Sequence, residues 1–184
     1  MQNVNLQNLL RDYENSLCDK TFEYELANNQ IVCVSFYREQ LCHLLGIQYI
    51  YDHDRHYLGI EGFKKIQDGS LTNNKLKSHN IGQYNYIKER LNNFYKIKQL
   101  MDEGQFIKFY RDRTHPSSRI EADFIIFQKE TAHILHLFLR KEQADKNIYA
   151  PVSFVIKSLK DETAQQYLQH QEYKQIVRRS VIEK

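Results

Sequence analysis

A histidine stands inside an apolar segment at Phe36-Tyr37-Arg38-Glu39-Gln40-Leu41-Cys42-His43-Leu44-Leu45-Gly46-Ile47. Leu41, Leu44 and Leu45 fall at i, i+3 and i+4 and predict one buried helical stripe, which Gly46 ends. His43 lies beside that stripe near the helix C-terminus, a place where an imidazole's charge is readily tuned and protons can be moved near neutral pH. A core histidine bonded to a backbone carbonyl is the competing reading. The second histidine comes from alternation in Leu135-His136-Leu137-Phe138-Leu139-Arg140. If the three leucines point to one side of a strand, His136, Phe138 and Arg140 point to the other. By the same parity Lys108 shares a side with Tyr110, and Ser153 with Lys157. With strands about 4.8 Å apart, Lys108, Asp123, His136, Arg140 and Ser153 fit within one concave patch.

Cleaving RNA without a metal needs few parts. A base takes the proton of the 2′-hydroxyl, an acid protonates the departing 5′-oxygen, and cations stabilise the crowded phosphate. His43 and His136 would supply the two proton-transfer groups, with Arg140, Lys108 and Ser153 holding the phosphate. A solvated sheet face accounts for the same residues without any chemistry. Three further groupings carry less. Arg111-Asp112-Arg113-Thr114-His115 reads as a turn between strands that clamps a phosphate, or as a solvated tip. Asp52-His53-Asp54-Arg55-His56 offers metal-ligand residue types in a polar loop, but without an obvious fourth ligand. Cys42 and His43 are sequence neighbours on a helix, about 100° apart, which disfavours a Cys–His nucleophile pair.

The elements that must position these residues follow from periodicity. Residues 3–19 predict an amphipathic helix, and Thr21–Leu26 with Ile31–Phe36 a hairpin turning at Ala27–Gln30. The His43 helix comes next. Short helices are expected near Gly62–Gln67 and Asn73–Lys77, then one long helix over Gln83–Asp102 with a stop at Gly104. Beyond Gly104 the period becomes two: Phe106–Arg111, Ile120–Gln128, Ala132–Lys141 and Pro151–Ser158 predict an antiparallel meander. Asp161–His170 reads as a helix and Tyr173–Ile182 as a last strand. The expected fold class is α+β: one domain over 1–184, mainly helical over 1–104 with the hairpin at 21–36, and a curved antiparallel sheet over 105–184. Helices and hairpin are expected to pack on one face of that sheet, leaving the other open.

Composition sets the outer bounds. A chain of 184 residues with 12% aromatics suits one soluble core. It has no apolar run of membrane-spanning length and no basic-then-apolar leader. Cys18, Cys33 and Cys42 are odd in number and form no CxxC pair, which points to a reducing cytoplasm and away from a zinc knuckle. Residues 61–120 carry 12 Lys and Arg against 6 Asp and Glu, whereas residues 1–60 are net acidic. That basic stretch is interleaved with Tyr84, Tyr86, Tyr95, Phe106, Phe109 and Tyr110, a pattern suited to a polyanion with stackable bases. A solvated helix face is the plainer explanation of the same cations.

The Cys-His-Leu-Leu-Gly core of Phe36–Ile47 resembles the opening signature of phage-encoded nucleases of the barnase–EndoU–colicin–RelE class, group four. Arg119-Ile120-Glu121-Ala122-Asp123-Phe124-Ile125, Leu135–Leu139 and Tyr149-Ala150-Pro151-Val152-Ser153-Phe154 are similar to later pieces of that family, from about residue 20 to the C-terminus. The resemblance implies a metal-independent endoribonuclease with a curved antiparallel sheet and no cofactor. It implies polar family positions at His43 and Ser153; His136 and Arg140 rest mainly on strand parity. The expected catalytic set is therefore His43, His136, Ser153 and Arg140. The expected RNA- and phosphate-binding set is Lys108, Tyr110, Arg111, Arg113, Arg119 and Lys157. Some proteins of this kind are anti-CRISPR inhibitors that truncate guide RNA, so RNA, a Cas9-bound guide RNA and Cas9 itself are the implied partners. Two other readings stay open: a non-cutting inhibitor that binds a nucleic-acid machine, and a toxin-like ribonuclease acting on tRNA.

Overall fold

The computed structural model describes residues 4–114, 118–143 and 146–183. The chain divides into two compact units, Met1–Asp19 with Phe36–Ile97, and Lys20–Ser35 with Lys98–Lys184.

The first unit is helical. Helix α1 (Leu6–Ser16) starts at Asn5, whose side chain accepts from the Gln7 and Asn8 amides at 2.9 and 3.1 Å. It buries Leu6, Leu9, Leu10 and Tyr13, the face its spacing predicts. A 3₁₀ turn at Arg38–Gln40 leads into α2 (Leu41–Leu45), and α3 (Ile47–Ile50) follows at once. Leu41, Leu44 and Leu45 are fully buried, as the stripe requires. Gly46 ends α2 with φ 86°, and a Cβ there would lie 2.8 Å from Ile87 Cγ2 and 2.9 Å from Arg90 Nη1. Left-handed backbone and overpacking therefore act together. Gly46→Ala is expected to lower stability by roughly 2 kcal/mol or more, read as a lower urea midpoint at unchanged slope.

Helices α4 (Gly59–Gln67), α5 (Asn73–His79), α6 (Ile81–Asn93) and α7 (Lys96–Glu103) are the remaining α-helices among the described residues. The single helix expected over Gln83–Asp102 is thus two. The Asn93 side-chain amide donates to the Glu89 carbonyl at 2.8 Å, competing for the acceptor that the helical ladder would use at that residue. α6 stops there, and α7 carries the chain across the boundary between the units.

The second unit is built on one mixed, curved sheet of eight strands among the described residues. They are β1 (Lys20–Leu26), β2 (Ile31–Ser35), β3 (Gln105–Lys108), β4 (Phe124–Lys129), β5 (His133–Lys141), β6 (Ile148–Ser158), β7 (Glu172–Lys174) and β8 (Ile176–Glu183). The spatial order is β7-β3-β4-β5-β6-β2-β1-β8. β3 to β6 form the expected antiparallel meander. The β1–β2 hairpin lies in the plane of the same sheet: β2 pairs with β6 in parallel, through Cys33 opposite Ile148 and Val34 opposite Tyr149. The expected last strand divides at Gln175 into β7 on one margin and β8 on the other, which brings the curved sheet close to closure.

Register and alternation place Leu135, Leu137 and Leu139 on one face, with Phe124, Ile126 and Phe106 on neighbouring strands. All are buried, and Tyr24 joins them, its ring centroid 5.3 Å from Phe106 and its hydroxyl donating to the Met101 carbonyl at 2.7 Å. The opposite face is not open. Residues 159–170 lie over it and insert Ala164, Tyr167 and Leu168 against Ile107, Phe109, Ile125, Phe127, Ile134 and Phe138. The i, i+3, i+4 spacing of those three residues reads as a helix, but the segment is a chain of turns. Asp161 captures both the amide and the hydroxyl of Thr163 at 2.8 Å, and later bonds run mainly from i+3 to i.

Candidate active site

His43 is exposed on α2 between fully buried Cys42 and Leu44, so the side chain at this position faces solvent while its neighbours carry the core. Burial pushes the Cys42 thiol up to about 12, which leaves it a packing residue with no thiolate at neutral pH. The two neighbours differ in exposure, in keeping with side chains about 100° apart on a helix.

His136 is placed differently from its expectation. Parity was right, but the face is covered, and His136 is fully buried in the layer under residues 159–170. Its ring meets Tyr167 edge-on at 5.4 Å. Nδ1 lies 3.4 Å from the Val155 carbonyl, whereas Nε2 is buried without a partner among the described residues. Burial holds the imidazole down to about 4, so it is neutral at pH 7. It is a core residue of the sheet, not part of a solvent-facing patch. The open concave patch expected to unite Lys108, Asp123, His136, Arg140 and Ser153 does not form, and Lys108, paired with Phe124 opposite Leu139, lies on the leucine face instead.

Ser153 is half-buried opposite Phe138, next to a bulge in the β5–β6 pairing. Lys157 is also half-buried: its ammonium bonds the Thr163 hydroxyl at 3.0 Å and approaches Asp161 at 3.4 Å, tying down the covering segment. Both are less available than a bare sheet face would make them.

The cations that do gather stand where β3 and β5 end and β4 begins. Lys108 lies 3.7 Å from Asp123 and over the Phe124 ring at 4.7 Å. Asp123 also accepts from the Lys141 amide at 2.8 Å, which fixes the carboxylate across two strands. Arg140 is exposed beside it at the end of β5. A 3₁₀ turn at Arg111–Arg113 follows β3. The Gln171 side chain holds Tyr110 from both sides, accepting its amide at 2.7 Å and donating to its carbonyl at 3.1 Å. The Tyr110 hydroxyl donates to Glu172 at 3.0 Å, a bond that pushes the phenol above its usual value and keeps it a donor at neutral pH. The Arg113 guanidinium lies 4.0 Å over the Tyr110 ring and donates to the His170 carbonyl at 3.1 Å. Arg111 pairs with Glu121 at 3.2 Å, and Arg119 is exposed. His115, the last residue of the predicted phosphate turn, lies outside the described residues.

Sequence reasoning missed Gln171, His170 and Glu172, the supports of Tyr110 and Arg113. They lie some 60 residues downstream, and no local signal joins them. The Asp52–His56 loop folds on itself: the Asp54 carboxylate accepts from the His56 amide at 2.9 Å. Among the described residues no group of three or more His, Cys, Asp or Glu is arranged to hold a metal ion. A cleft of about 810 Å³ lies between β7 and β8 and is lined by none of the expected catalytic or phosphate-binding residues. Its cations are engaged: Arg179 bonds the Gly104 carbonyl, and Arg178 bonds Glu25.

Helices and one curved, nearly closed mixed sheet of eight strands among the described residues define an α+β protein. The chain belongs to the family of phage-Barnase-EndoU-ColicinE5/D-RelE like nuclease 4, whose model matches residues 5–183. It is a nuclease of that type. No curated protein and no solved structure matches it. Among the described residues no helix is long and apolar enough to cross a membrane.

Proposed function

We propose that this nuclease is a metal-independent endoribonuclease that cuts structured RNA by attack of the RNA's own 2′-hydroxyl. The observation that carries the reading is the rim at Tyr110 and Arg113. A guanidinium stacked on a ring whose hydroxyl and backbone are both anchored is preorganised for a phosphate beside an unpaired base. Arg111 belongs to the same turn as Arg113, and Lys108 and Arg140 stand near the neighbouring ends of β3 and β5. Proton transfer is assigned to His43, the exposed member of the two predicted histidines. These two parts rest on different units and are tested separately.

Incubating the full chain with tRNA, bulk RNA and guide RNA, free and Cas9-bound, in excess EDTA tests the chemistry. Products ending in 2′,3′-cyclic phosphate are expected. Strict Mg²⁺ dependence with 5′-phosphate ends overturns the mechanism. Preference for the Cas9-bound guide would support an anti-CRISPR role, and preference for tRNA a toxin-like one. One observation favours a second reading: with His136 buried, only one predicted proton-transfer group faces solvent, so binding without cutting uses the same rim. Retention of intact RNA in every arm would establish that reading instead.

The rim gives its own prediction. Arg113→Ala is expected to weaken RNA binding across sequences and to lower the slope of log affinity against log salt by about 0.7–1, the value for one lost phosphate contact. Titrations at several salt concentrations check this. An unchanged slope would mean that Arg113 serves only to pin His170.

A further inference from the structure

The helical unit carries aromatic rings that no core explains. Helix α3 ends at Ile50, and Asp52 and His53 both take left-handed backbone, with φ 47° and 61°. Side-chain-bearing residues seldom adopt this conformation, and two in succession reverse the chain sharply. The reversal sets two ring groups around one turn. Tyr51 lies flat on Tyr57 with centroids 3.7 Å apart and planes within 5°, and His79 comes to 4.3 Å from Tyr51. Tyr49 meets Tyr86 edge to face at 5.5 Å and His53 at 6.3 Å. Tyr86 is 66% exposed, so burial does not explain the ring's position.

Cations accompany the rings. Lys65 stands over Tyr57 at 5.6 Å, and the Arg90 guanidinium over Tyr49 at 5.8 Å. Helix α5, which ends at His79, carries exposed Lys75 and Lys77 and no carboxylate. Ring faces spaced like stacked bases, beside fixed positive charge, are what proteins offer to unpaired nucleotides.

From this we infer that the surface formed by Tyr49, Tyr86, His53 and the Tyr57–Tyr51–His79 stack is a binding site for unpaired bases of single-stranded RNA. The inference builds on the proposal that RNA is the substrate. It adds a second contact surface, on the helical unit, that selects single-stranded or looped segments. Tyr49, His53, His79 and Tyr86 are its exposed members, and Tyr86 and His79 are the two onto which a base would stack.

The test uses the full chain and a labelled single-stranded 2′-O-methyl oligonucleotide, which has no free 2′-hydroxyl and cannot be cut by the proposed route. A matched duplex and an abasic strand of equal length serve as comparisons, read by fluorescence anisotropy. The base-bearing single strand is expected to bind more tightly than either. Tyr86→Ala and His79→Ala are each expected to weaken it by about 5-fold or more, the loss of one base stack, and Tyr86→Phe to retain it. Circular dichroism reports that the variants are folded. Equal binding of the base-bearing and abasic strands, or Tyr86→Ala variants that bind like the original, overturns the inference. If the chain binds as expected but cuts no RNA, the proposed cleavage fails and this surface stands. If it cuts RNA and these arms show no effect, only this surface fails.

Discussion

His43→Ala is expected to lower RNA cleavage by about 10²-fold or more while leaving the fold in place, the size of effect that a proton-transfer group contributes. The structure makes the test clean. His43 projects to solvent, whereas Leu41, Cys42, Leu44 and Leu45 carry the packing of α2. Alanine is a good helix former and the buried side chains of α2 are untouched, so the fold should survive the change. Single-turnover cleavage beside thermal melting separates the possible outcomes. A variant that melts early yet cuts at the original rate removes His43 from the chemistry. A folded variant that has lost cleavage but keeps its RNA affinity places His43 at the proton.

The second large effect concerns pH, and it comes from the histidine the sheet has buried. Folding holds His136 down to about 4, against 6.5 for a free imidazole, because charging it would place an ion in an apolar layer. Between those values the unfolded chain binds a proton that the folded chain refuses. The stabilisation is therefore complete above about pH 6.5, is lost as pH falls through the window, and changes no further below about 4. The total loss is on the order of 3 kcal/mol. Urea unfolding at pH 7 and pH 4.5 should show most of it. His136→Leu should flatten that dependence, and because it also removes an unpaired buried Nε2, it should fold at least as well near pH 4.5. Cleavage at pH 7 should persist in the variant. Equal pH slopes in the two proteins would reject burial of His136 as the cause, and loss of cleavage in a stable variant would return His136 to the mechanism.

Much of the architecture was legible along the chain because periodicity is local. Leu135, Leu137 and Leu139 declare a strand and its face, Leu41, Leu44 and Leu45 a helical stripe, and the break after Leu26 a hairpin. The rim residues Tyr110, Arg111 and Arg113 were also visible, as cations and an aromatic ring just past a strand. The break between α6 and α7 was not, because the competing Asn93–Glu89 bond leaves the apolar spacing unchanged. For the second face of the sheet there was a signal in Ile125, Phe127 and Phe138, which lie on the His136 side. Polar residues among them made that face look solvated.

By itself, then, the sequence determined the α+β class, the antiparallel meander, the buried stripe beside His43 and the nuclease family. Tertiary structure alone decided which faces stay open. It laid residues 159–170 over His136, joined β2 to β6 in parallel, and brought Gln171 and Glu172 to Tyr110. Alternation fixes which side chains share a side because it depends on two neighbouring residues. What covers that side depends on segments many residues away, whose pairing is set by closure of the chain and by packing, and leaves no periodic trace.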